Sequence, residues 1–108
     1  MIYELRTYRC VPGRMPDLHK RFENVALRMF DKHGISPVGF WTTLVGESNQ
    51  ELHYLLEWRD LAHREKVWNA FMADQEWLEA RAETEKNGPL VANITNTFLV
   101  PTQYSRLK

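Results

Sequence analysis

His53, Glu57, Glu4, Arg6, Tyr8, Trp41 and Asn93 are the residues whose types and spacing suit small-molecule chemistry. Each belongs to a run with strand-like alternation, in which every second side chain shares a face. Parity puts Glu4, Arg6 and Tyr8 of the opening strand with Trp41, His53, Glu57 and Asn93 of the others. On one covered face, His53 or Glu57 would take a proton, Arg6 would hold an anionic oxygen and Trp41 would stack on a planar substrate. Glu4, Tyr8 and Asn93 would complete the lining. The same residues suit a structural network, with Arg6 paired across strands to Glu4 or Glu57. Both alternatives start from one cost: charge removed from water must be paired or used.

The elements that must position these residues are marked by turn chemistry and periodicity. After the opening strand, Pro12-Gly13 signals a turn, and Pro16 suits the first turn of a helix with an apolar stripe at Leu18, Phe22, Val25 and Met29. His33-Gly34 ends it, glycine as a left-handed cap and histidine near the negative end of the helix dipole. Strand-like runs over 37–45 and 51–58, separated by Gly46 to Gln50, read as a hairpin. Asp60 caps a second helix whose inward positions are Leu61, Val67 or Trp68, Phe71 and Met72. Asp74 caps its continuation through Trp77, Leu78 and Arg81, which ends at Asn87-Gly88-Pro89; a last strand follows over about 90–100. Trp68, Phe71 and Trp77 read as helix packing on the sheet rather than as an aromatic cage.

The order β-α-β-β-α-β predicts an α+β, ferredoxin-like fold: a four-stranded antiparallel sheet ordered 4-1-3-2 with the helices on one face. One domain over 1–101 and a C-terminal arm over 102–108 account for the chain. Parity assigns Tyr3, Leu5, Thr7, Val38, Phe40, Leu44, Tyr54, Leu56, Trp58, Ala92, Ile94, Phe98 and Val100 to the helix-bearing face. The opposite face receives all the candidate residues together with Val45, Leu55 and Leu99. That apolar load needs a cover, and a second copy of the same sheet supplies one. A homodimer through the sheet faces, with a cavity between the copies, is the expectation.

Charge and composition narrow the partners. Fourteen basic residues balance fourteen acidic ones with no basic stripe, which argues against nucleic acid. No apolar run approaches the roughly 20 residues that span a bilayer, so no membrane partner is expected. The charges of Glu4, Arg6 and Arg9 are not those of a signal peptide, and the chain reads as cytoplasmic. Cys10 is the sole cysteine, which leaves no internal disulfide and no cysteine-based zinc site. His19 and Glu23 share a helical face without a second histidine at ligand spacing, so no metal site is expected. No cofactor is assigned, and a small planar or anionic molecule is the expected ligand class.

Tyr3-Glu4-Leu5-Arg6-Thr7-Tyr8, Pro12-Gly13, His33-Gly34, Val38-Gly39-Phe40-Trp41, Gly46 through Asn49, Arg59-Asp60-Leu61, Arg64-Glu65, Trp68 and Asp74-Gln75-Glu76-Trp77 occur in an order and spacing that closely resembles the NIPSNAP family. The resemblance covers about residues 2 to 100. It implies a ferredoxin-like subunit in a dimeric α+β barrel, a superfamily with cofactor-free monooxygenases, lactone isomerases and haem enzymes. It brings no catalytic residues of its own. Three functions stay open: cofactor-independent catalysis in the cavity, small-molecule binding without chemistry, and protein interaction through the helical exterior and the arm.

Overall fold

Strand β1 (Ile2–Cys10) runs through the middle of the sheet in the computed structural model, which describes residues 1–108. It pairs antiparallel with β3 (Glu51–Trp58) on one side and β4 (Val91–Leu99) on the other, and β2 (Ser36–Thr42) completes the order β2-β3-β1-β4 beyond β3. This is the expected 4-1-3-2 order, and the fold is ferredoxin-like α+β.

The first helical rod consists of α1 (Met15–Arg21), a π-helical turn over Phe22–Ala26, and α2 (Leu27–His33). The wider π turn delays the helical phase. Ala26 is buried with Leu18, Phe22, Met29 and Phe30, while the expected inward Val25 is only half-buried. Gly34 closes the rod at φ 73°, a left-handed position that a side chain would strain, and Ile35 N–H donates back to the Phe30 carbonyl at 2.9 Å.

Helix α3 (Leu61–Met72) begins where the Asp60 carboxylate accepts from the His63 N–H at 2.7 Å, and α4 (Gln75–Thr84) begins where Asp74 accepts from the Glu76 N–H at 2.9 Å. Each cap satisfies a donor that the first turn leaves free. Asp74 also receives Lys32 Nζ and His33 Nε2, both at 2.8 Å, so the end of α2 is tied to the start of α4. Trp68 and Phe71 face inward from α3, whereas Leu61 and Met72, expected inward, are exposed.

The core lies between the helices and one sheet face, around Leu18, Met29, Leu52, Tyr54, Leu56, Trp58 and Phe71. The assignment of β3 to that face is correct. The assignment of β1 is reversed. Opposed residues in a sheet share a face, and the register opposes Glu4 to Leu56, Arg6 to Tyr54 and Tyr8 to Leu52. Glu4, Arg6 and Tyr8 therefore point under the helices, and Tyr3, Leu5 and Thr7 point away from them with Glu57, Leu55 and His53. The physical reason is that the core offers enough polar partners to make these charges stable there.

Candidate functional site

Glu4 is fully buried and its carboxylate accepts five hydrogen bonds. Oε1 takes Trp58 Nε1 and Arg64 Nε, each at 3.1 Å; Oε2 takes Arg6 Nη1 at 2.9 Å, Arg64 Nη2 at 3.0 Å and Asn96 Nδ2 at 3.1 Å. Burial pushes this carboxyl's pKa up, but hydrogen bonds from Arg64, Asn96 and Arg6, with the Arg6 charge, outweigh it and hold the group below the usual carboxylate range. Glu4 stays ionised.

Arg6 is as fully committed. Its Nε donates to Tyr54 Oη at 2.8 Å, Tyr8 and Tyr54 share a hydroxyl–hydroxyl bond of 2.8 Å, and the guanidinium lies 4.4 Å from the centroid of Trp68. Burial disfavours the Arg6 charge, yet the two tyrosines and Glu4 reverse that and raise its pKa. Burial raises the pKa of Tyr54 well above normal, so its hydroxyl keeps its proton.

Next to this network, a cavity of about 380 Å³ opens between the sheet and the helices on the β4 side. Arg6 and Tyr8 line it from β1, Arg21, Phe22, Ala26 and Phe30 from the first rod, Trp68, Phe71 and Met72 from α3, and residues 91–94 from the start of β4. Trp77, Arg81 and Glu85 close the α4 end. There, Arg21 Nη1 and Arg81 Nε both donate to Glu85 Oε2 at 3.3 Å.

The structure divides the seven candidate residues between the two sides of the sheet. Glu4, Arg6 and Tyr8 come together under the helices. Asn93, opposed to Arg9, stands on the helix-free face as expected and borders the cavity only at the irregularity where β1 and β4 lose register. Trp41, His53 and Glu57 stand on the helix-free face. His53 is held there between hydroxyls, Nδ1 at 3.0 Å from Thr7 Oγ1 and Nε2 at 2.8 Å from Thr43 Oγ1. Trp41 is 54% exposed and its ring lies over Gly39, where an added Cβ would come within 2.8 Å of Cη2. The expected gathering of all seven in one cavity between two copies is thus corrected by the phase of β1.

Sequence reasoning missed Arg64, Asn96, Arg21, Arg81 and Glu85 as site residues. Asn96 carried a usable signal, because it shares parity with Ile94 and Phe98 and so had to bring an amide to the helix-bearing face. The arginines on helix faces carried none.

An antiparallel sheet in this order, covered by helices on one side and with a cleft between the layers, defines a ferredoxin-like α+β fold. More specifically, the chain belongs to the NIPSNAP family, whose model matches residues 3–106. It is 30% identical over 80 residues to human NipSnap homolog 3A, an alignment covering 73% of this chain and 31% of that protein. The chain spans about a third of the length of the curated mammalian relatives it matches. Among solved structures it is similar to Atu4242 of Agrobacterium tumefaciens, a NIPSNAP-family protein of unknown function, at 27% identity and a TM-score of 0.88 over 100% of both chains. MhuD, solved as a point mutant with two manganese protoporphyrin IX bound per active site, shares the fold at 14% identity and a TM-score of 0.60 over 97% of this chain and 98% of its own. No helix is long and apolar enough to cross a membrane.

Proposed function

We propose that the protein binds a small, planar, anionic organic molecule in the cavity between its sheet and its helices, and that it works as a homodimer through the helix-free sheet face. The cavity carries this reading: eleven of its sixteen lining residues are hydrophobic, and, with Arg6 already paired to Glu4, its remaining charged groups are Arg21 and Arg81 against the single carboxylate of Glu85. An aromatic body gains by leaving water against Phe22, Phe30 and Trp68, and the surplus of guanidinium favours negative charge on the ligand. The half-buried Tyr8 hydroxyl can donate to a ligand oxygen.

Binding is favoured over turnover because the bases are committed. Glu4 is saturated, Glu85 is shared by two arginines, and no imidazole lines the cavity. The lining also holds no cysteine. Its residues do not fit an imidazole- or thiolate-ligated haem.

A panel of aromatic carboxylates, followed by thermal shift and by mass spectrometry of the recovered ligand, tests the reading. Binding raises the melting temperature with ligand concentration, and Ala92→Trp, on the open β4 side of the lining, abolishes the rise. The absence of any shift across the panel would sink the proposal; a recovered product would replace binding with cofactor-independent catalysis. His53 and Glu57 support a second reading as acid–base groups on the face that two copies would share. Because both nitrogens of His53 already have threonine partners, that reading requires one bond to open. Turnover lost in His53→Gln with the dimer intact would move the chemistry there.

A further inference from the structure

The two ends of the cavity differ in how far their donors are used. At the β1 end, Arg6 is taken up by Glu4 at 2.9 Å and Tyr54 at 2.8 Å. At the α4 end, two guanidinium groups reach a single oxygen of Glu85, each at 3.3 Å, longer than a well-made charge-assisted bond. Beside Arg21 lies Trp77, its ring centroid 5.9 Å from the guanidinium carbon. Trp77 is only 7% exposed, lines the cavity, and its indole Nε1 is the one buried side-chain polar atom with no hydrogen-bond partner. A buried donor without an acceptor costs free energy, and because this nitrogen is shut off from solvent, a ligand oxygen recovers it only by displacing the side chains that cover it. Burial also pulls the Arg21 pKa below its ordinary value, with Glu85 opposing it only in part.

We propose that the Trp77 indole N–H, with the Arg21 and Arg81 guanidinium groups, forms the seat for the carboxylate of an aryl carboxylic acid whose ring system lies along Phe22 and Phe71. This rests on the binding reading above and gives it an orientation, with the anion at α4 and the apolar end toward Arg6 and Trp68. Arg6 is a wall of the cavity rather than its anion holder. Trp77 supplies direction, because a single N–H fixes where the oxygen must lie; the arginines supply charge.

Naphthalene-2-carboxylate and naphthalene-2-carboxamide are matched probes that differ in charge and little in shape. Calorimetric titration should give the carboxylate at least about tenfold tighter binding, the scale of a hydrogen bond to a charged group. Heteronuclear NMR should show the Trp77 indole N–H resonance, assigned through Trp77→Phe, moving downfield on saturation with the carboxylate. Trp77→Phe keeps an aromatic ring against Phe71, 4.8 Å away by centroids, and removes the donor together with part of the indole's bulk, which the carboxamide probe controls for. It should melt within a few degrees of the wild type and lose about tenfold in carboxylate affinity, with the carboxamide changed less. Arg81→Gln, at an exposed position, gives an independent arm and should weaken the carboxylate selectively. Equal affinity for the two probes, or a Trp77 resonance that stays put while Trp68 moves, overturns the seat and leaves the cavity reading standing. Binding of neither probe overturns both.

Discussion

At the scale of single residues, Glu4 is the group on which most depends. Glu4→Gln removes the charge that neutralises buried Arg6 and should cost roughly 3–5 kcal/mol, the usual consequence of breaking a buried pair from one side. Urea denaturation would read it, and an unchanged midpoint would contradict the ion-pair account. The pH dependence has a defined sign. The Glu4 pKa is lowered on folding from an ordinary value of 4.5, so the unfolded chain binds the proton first as pH falls. The stabilisation is complete above about pH 4.5 and is lost as pH drops through the lower, folded value. An acid titration followed by circular dichroism should show this slope in the wild type and its reduction in Glu4→Gln. Tyr54, Trp58 and Asn96 show why the face of Glu4 was hard to read. Counted as apolar or neutral, they mark a dry face; counted by their hydroxyl, indole and amide groups, they mark partners for charge.

Among the elements, those ended by local chemistry were legible. Pro16, Gly34, Asp60 and Asp74 act within one turn of the chain, and each stands where its type requires. Asp60→Ala should cost about 1 kcal/mol through the lost cap, measurable as a shift in the denaturation midpoint. Features that insert one residue were not legible, because packing across the sheet selects them. The π turn over Phe22–Ala26 turns Ala26 inward, and the irregularity between Pro37 and Gly39 in β2 sets the phase that keeps Phe40 on the core side and Trp41 on the other. Gly39→Ala probes the second directly. Its new methyl would occupy the place of the Trp41 ring, so the ring must leave the sheet surface, and the tryptophan emission should shift toward that of a more solvated indole.

For the whole molecule, the helix-free face sets the expected assembly. Trp41 at 54% and Leu99 at 41% exposure stand with half-buried Leu5 and Leu55 on a surface that no helix covers. Leu55→Lys, at the centre of that face, should convert a dimeric mass to a monomeric one in size-exclusion chromatography with light scattering; a wild-type monomer at micromolar concentration would contradict the proposed dimer. The architecture and strand order were legible because element order and crossover handedness leave few alternatives. The cavity's location was not, since it follows from which of two mixed faces of β1 turns inward. The Glu4 cluster also bears on time. Its donors lie 54, 60 and 92 positions further along the chain, in β3, α3 and β4, so the cluster closes only after those segments have docked. Contacts that form after the barrier restrain escape from the native state without hastening arrival. In a chevron experiment, Glu4→Gln should therefore raise the unfolding arm and leave the refolding arm near its original height. The buried carboxylate would then act chiefly as a latch that lengthens the lifetime of the folded chain.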